Sequence, residues 1–359
     1  MSLRLVRFIS LSLILTLFLS FVGSLGIAQS SSGEIVIYSG RREPLLQPIL
    51  ELFEKETGIK TIVKYGSGSA LAQQILEEEK ALGRSADLFI HTETATFEFL
   101  RLQNALQPYS SESTRSTLVD MRARDGSWTG LSGRSRAILY NKNLVKASDL
   151  PNSIFDLTDS KWKGKIAATN SANDSFTAWV SALRLTIGEE PAKNFLLKLK
   201  ENTTRLTNSH TDVRKAVGRG EFALGLINHY YYHIQLEEPD AAVRNVGIIF
   251  PDQKQTQIGT LILAAAGAIL KNARNLSNAQ KVLDFLTGTE GQKFFAEVNY
   301  EYPLRPAVPT RSDVLKVVQD SLNCNKTSAI ACLKQFPLPL DALGAAAQKT
   351  RDLLVEIGW

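Results

Sequence analysis

EIVIYSGRREPLLQPILELFEKETGIKTIVKYGSGS, residues 34–69, carries the grammar that decides the fold. Residues 34–38 are an apolar, β-branched run that predicts a strand, closed by Ser39-Gly40-Arg41-Arg42-Glu43-Pro44. Apolar residues then recur at 45, 46, 49, 50 and 53, the spacing of one helix face. Pro44 suits the first turn of that helix and Gly58 its end. Residues 61–65 read as a second strand, and Gly66-Ser67-Gly68-Ser69 leads into a helix over 70–82. A third strand over 86–90 and a helix over 97–106 continue the alternation, which predicts βαβ units on a parallel sheet.

The middle of the chain repeats this pattern. Strands are expected at 165–169, 222–227, 246–250 and 261–266. Helices are expected at 176–187, 191–202, 211–218 (with Ser209 as N-cap), 277–287 and 291–298. No composition break separates two beads, so two α/β lobes with more than one crossover between them fit best. In open parallel sheets ligands sit beyond the carboxyl ends of strands. Tyr38, Arg41, Thr92, Glu93, Asn170 and the run 228–233 all fall there.

Arg4 and Arg7, an apolar run over 8–22 and the small-residue exit Ser24-Leu25-Gly26-Ile27-Ala28 predict a secretory leader, residues 1–28, cleaved near Ala28. The mature chain is then exported to the periplasm and is not an integral membrane protein. Loss of two arginines and no acids lowers the formal charge from +5 to +3, with no basic runs, so nucleic acid is not an expected partner. Cys324 and Cys332 are expected to pair as a local disulfide in an oxidising compartment.

Asn228-His229-Tyr230-Tyr231-Tyr232-His233 is the stretch richest in chemistry. A buried phenol needs a hydrogen-bond partner, and a coordinated cation favours phenolate. Adjacent tyrosines meet one ligand only where the backbone turns, as at a strand exit. Two other readings stand beside a phenolate metal site: a helical His229/His233 pair for Zn²⁺, and an aromatic cluster packing under a loop.

The chain resembles the ferric-iron-binding family of periplasmic solute-binding proteins, which feed Fe³⁺ to ABC importers. The resemblance runs through IVIYSGRRE (35–43), FEKETGI (53–59), SADLFI (85–90), SGRSRAILYN (132–141) and GLINHYYY (225–232). It continues in SNAQKVLDFLTGTEGQKFFAE (277–297), YEYPLRP (300–306) and LLVEIGW (353–359), and so covers essentially the whole mature chain. It implies a two-lobed periplasmic-binding-protein fold of type II with hinge crossovers. One lobe would comprise 29–134 plus about 259–305, the other about 135–258 plus 306–359. It further implies a monomeric receptor that closes on Fe³⁺ and docks on a permease.

The family's tandem pair falls on Tyr230 and Tyr231, leaving Tyr232 as an extra phenol. Its anion-holding arginine matches Arg134, with Arg136 behind it and Arg41 as a second candidate; carbonate or phosphate would complete the iron shell. The departures are specific. Arg42-Glu43 stands where some members have His or His-Tyr, so Glu43 is either a carboxylate ligand or a helix N-terminal acid. Thr92 stands on the position of a Glu or Asp ligand, with Glu93 one residue late. Asn173, Asp174 and Ser175 stand where a subgroup has a third Tyr; Asn173 is a further candidate anion contact, and Asn170 and Ser175 are either anion donors or helix caps.

Two alternatives remain beside iron capture: the same fold serving a small organic or inorganic anion, and, more remotely, a secreted enzyme. The sequence has no Gly-x-Ser-x-Gly elbow, His-Glu-x-x-His, P-loop or candidate Cys nucleophile, and nothing in it pairs Asp87, Glu93 or Asp174.

Overall fold

The computed structural model describes residues 33–205, 207–340 and 342–359. The expected leader lies outside the described residues. Ten strands are described: β1 Glu34–Ser39, β2 Lys60–Tyr65, β3 Leu88–His91, β4 Leu106–Gln107, β5 Thr129–Asn141, β6 Ile166–Ala168, β7 Thr203–Arg205, β8 Leu224–Asn228, β9 Val246–Ile249 and β10 Ile262–Leu270. They form one curled sheet in the order β2-β1-β3-β10-β5-β8-β6-β7, with β4 on β10 and β9 on β5. The β1–β2, β1–β3, β6–β7 and β6–β8 pairs are parallel, as the βαβ pattern predicts.

The crossover is made by β5. Its residues 129–135 pair antiparallel with β10, while 136–140 pair with β8 and 138–141 with β9. One strand therefore serves two α/β lobes, the two-lobed type II arrangement. Residues 129–141 are nearly all buried, including Arg134 and Arg136, and this strand has no alternation to betray it in sequence.

Elsewhere the amphipathic patterns act as expected. Ile35 and Ile37 of β1 pack with Leu46, Ile49, Leu50 and Phe53 of the helix Glu43–Thr57. Val36 and Tyr38 face the other layer, with Leu71, Ile75 and Phe97. Gly58 ends that first helix in the left-handed region, at φ 70°.

Two expectations need correction. The helix expected over 97–106 is Thr94–Leu102, and Leu106 belongs to β4. Asn104 turns the chain at φ 55°, and the Ala105 N–H donates to the Leu100 carbonyl. The segment after β8 does not merely exit the strand: Tyr230–Leu236 is a helix.

The C-terminal helix Ala342–Glu356 bridges the lobes. Its far end is fixed in the second lobe, where Trp359 stacks on Phe176 with centroids 4.8 Å apart and donates from Nε1 to the Thr169 carbonyl at 3.2 Å. Its near end reaches the first lobe, where a Cβ on Gly344 would come within 2.4 Å of the Glu98 Cβ. Cys324 and Cys332 are disulfide-bonded, and no free cysteine occurs among the described residues. No described helix is long and apolar enough to cross a membrane.

Candidate functional site

Strand ends and helix starts converge on a cleft of about 470 Å³ between the lobes. One wall comes from the turns after β1, β2 and β3, with Gly40, Arg42, Gly66, Gly68, Thr92 and Glu93. The other comes from the turns after β6, β7 and β8, with Asn173, Asp174, Ser175, Ser209, His210, Asn228, Tyr230 and Tyr231. Arg134 reaches it from the crossover strand. Both walls are carboxyl ends of parallel strands, which is where this sheet type collects ligand contacts. A larger hollow of about 730 Å³ lies beside Pro337, Leu338 and Pro339, but two of its acids, Glu98 and Asp125, already pair with Arg101.

Tyr230 and Tyr231 occupy the first helical turn after β8. Their ring centroids are 4.4 Å apart and both side chains are nearly buried. Burial, with the nearby Tyr231 and Glu301, pushes the Tyr230 phenol well above its ordinary value, against the pull of Arg134. An empty site thus holds Tyr230 as a neutral phenol, and a cation must displace its proton to use the oxygen.

His229 fixes this turn. Its Nδ1 accepts from the Ser135 N–H at 3.2 Å, and its Nε2 donates to the Tyr300 carbonyl at 2.9 Å. Its ring stacks on Tyr302 at 3.8 Å. Both nitrogens are used by backbone, which removes the His229/His233 zinc pair; His233 stacks instead on Tyr300 at 5.3 Å. Tyr232 does not line the cleft and packs edge-on to His233. Among the described residues no three His, Cys, Asp or Glu side chains are grouped to hold a metal, so the phenols are the distinctive oxygen donors here.

Arg134 is the central charge. Its Nη2 donates to the Thr92 carbonyl and to Glu93 Oε1, the latter at 2.6 Å. Its Nε and Nη1 are buried without a partner among the described residues. Leaving two such donors dry is costly unless a ligand takes them. Glu93 keeps one unpartnered oxygen, Oε2. Burial pushes its carboxyl up to about 7, outweighing the lowering by Arg134, and Asp174 adds to the rise.

The other residues singled out from the sequence fall as follows. Arg136 lies beneath the tyrosines, donating from Nη1 to Asn228 Oδ1 at 3.0 Å and sharing 3.2 Å with His210 Nε2; burial lowers it to about 10. Arg41 does not line the cleft. Its guanidinium donates to the Leu45 carbonyl, to Ser132 and, at 2.5 Å, to Glu301. Glu43 is exposed in the first turn of its helix and also lies outside the cleft lining.

Asn173 caps its helix through Oδ1, accepting from the Phe176 N–H at 3.0 Å, and donates from Nδ2 to the Asn208 carbonyl at 2.7 Å. Ser175 donates to Asn228 Oδ1 at 3.3 Å. Asn170 accepts from the Ala172 N–H at 3.1 Å. Neither Asn173 nor Ser175 keeps the unpartnered donors that Arg134 does. Sequence reasoning overlooked His91 and Asp174 as partners: Nε2 of one stands 3.5 Å from Oδ2 of the other, across the cleft. Position was the available signal, since His91 immediately follows the ADLFI strand.

A two-lobed α/β molecule with a polar, phenol-lined interlobe cleft is a ligand-capturing binding protein in architecture. The chain belongs to the bacterial extracellular solute-binding protein family, whose model matches residues 83–320. Iron uptake protein A1 of Synechocystis is 30% identical over 91% of this chain and 87% of its own. The major ferric iron-binding protein of Neisseria meningitidis is 31% identical over 79% of this chain and 85% of its own. A Trichodesmium protein solved in complex with iron and citrate is 30% identical, with a TM-score of 0.74 over 91% of this chain and all of its own.

Proposed function

We propose that this chain is an extracytoplasmic Fe³⁺ receptor of an ABC importer, exported with cleavage near Ala28. Tyr230 and Tyr231 bind the ion as phenolates, and Arg134 holds a small anion, carbonate or phosphate, that completes the shell. The carrying observation is the buried tyrosine pair, 4.4 Å apart, beside an arginine with two unpartnered buried donors. Two phenolates leave Fe³⁺ with one positive charge, and an anion taken bidentately by a guanidinium removes it. The relatives named for ferric iron and iron uptake support the same cargo.

Capture is binding rather than catalysis, and the product is a closed receptor that a permease recognises. Closure is a two-state equilibrium shifted by an ion whose ligands meet only when the walls meet. The division into 29–134 with about 259–305, and about 135–258 with 306–359, draws support from the change of β5 partners after Ser135. Arg41 and Arg136 serve as supports rather than anion contacts, and Glu43 as a helix-start acid.

Ferric titration of Tyr230→Phe and Tyr231→Phe, with and without bicarbonate, tests the assignment. Each variant should lose at least about 100-fold in affinity and weaken the visible phenolate-to-iron band. A colourless wild-type protein that takes up no iron would favour the rival reading, an anion receptor on the same fold.

A further inference from the structure

His91 is fully buried at the end of β3, and neither ring nitrogen finds a hydrogen-bond partner with sound geometry among the described residues. A buried imidazole left dry in this way is unusual. The surroundings are shaped around it. A Cβ on Gly40 would lie 2.2 Å from its Nδ1, and a Cβ on Gly68 would lie 2.2 Å from its Cε1. Both glycines line the cleft, so the ring sits directly behind that wall.

A carboxylate reaches it from the opposite lobe: Asp174 Oδ2, 3.5 Å from Nε2, on a side chain that is 35% exposed and itself lines the cleft, while the Arg134 charge acts on the ring in the opposite sense. Two donors each about 2.1 Å from one ion, at angles of about 90–110°, stand roughly 3.0–3.4 Å apart. The His91–Asp174 separation is close to that bite.

We propose that His91 and Asp174 join the tyrosine pair as cargo ligands, an imidazole from one wall and a carboxylate from the other, so that closure completes the coordination shell. The inference rests on the ferric reading above and deepens it. Two phenolates and one carboxylate bring three negative charges to Fe³⁺ with the imidazole neutral, and the Arg134 guanidinium offsets the charge that the anion adds. Burial lowers the His91 pKa, which keeps the ring in its ligating form. Imidazole is a known ligand class for iron, although softer than phenolate. In this scheme Glu93 holds Arg134, and Arg134 keeps its two open donors for the anion.

Pulsed electron paramagnetic resonance of the ferric protein, loaded from ferric nitrilotriacetate, reads imidazole ligation through nitrogen modulation. Wild type should show that modulation; His91→Ala should lose it while keeping the visible phenolate band, with affinity down about 100-fold. His91→Gln guards against a packing defect, provided its thermal unfolding matches wild type. Asp174→Asn should weaken binding by about 10-fold or more and make it more dependent on added bicarbonate. A coloured wild-type complex without nitrogen modulation, or with modulation that survives His91→Ala, overturns the proposal and leaves the ferric reading intact. Failure to form any iron band overturns both.

Discussion

Tyr230 and Tyr231 converge although adjacent helical residues point about 100° apart. They sit in the first turn, where side chains lean back toward the helix start and no earlier turn fills the space. His229, held at both nitrogens by backbone, sets where that turn begins. The residue types at this cleft were legible in sequence because three consecutive phenols are rare, and Tyr230 and Tyr231 do line it. The role of His229 was not legible, since its partners Ser135 and Tyr300 are far away in the chain. The same holds for Arg41, whose carboxylate partner, Glu301, is 260 positions distant. At this scale proton release gives a prediction. Tyr230 is protonated when empty because burial raises its pKa, so binding iron expels that proton. Affinity should therefore fall as pH falls, by about 10-fold per unit from Tyr230 alone. Chelator competition between pH 6 and 8, corrected for the chelator's own protonation, measures the slope, and Tyr230→Phe should flatten it by one proton.

Among the elements, β1 announced itself through an apolar β-branched run and the helix after it through helical apolar spacing, because Leu46, Ile49, Leu50 and Phe53 bury one face of that helix against Ile35 and Ile37. Strand β5 did not. Its TGLSGRSRAILYN has no period-2 alternation, and its serines and arginines are buried only because two lobes and the 300–302 segment close over them. Ser132 accepts from Arg41, Arg134 donates to Glu93, and Arg136 donates to Asn228. The C-terminal helix is a second element whose role depends on distant partners. Gly344→Val places a side chain against Glu98 and the Ala95 carbonyl, where even a Cβ lacks room. Overpacking of this kind should cost about 1–3 kcal/mol, read as a lower urea midpoint at unchanged slope.

Over the whole molecule, the cleft is bridged by direct contacts between its walls. Arg42 Nη1 donates across it to Thr211 Oγ1 at 2.9 Å and to Ser209 Oγ at 3.4 Å, and His91 and Asp174 also meet across it. Such exposed hydrogen bonds contribute about 0.5–1.5 kcal/mol, enough to change an open-to-closed ratio several-fold. Iron-free Arg42→Ala should then have a larger radius of gyration by small-angle scattering than iron-free wild type, and added Fe³⁺ should bring the two together. An identical radius in both iron-free proteins would remove Arg42 from the closing force. Sequence by itself determined the α/β class, the parallel units, the disulfide pair and the phenol-rich run that lines the cleft. These are written in local periodicity, in residue chemistry and in short spacings. Tertiary structure alone decided that β5 joins two lobes, that Arg134 keeps two donors open, and that His91 faces Asp174. Each of those depends on segments remote in sequence meeting at a cleft, and local patterning carries no record of such meetings.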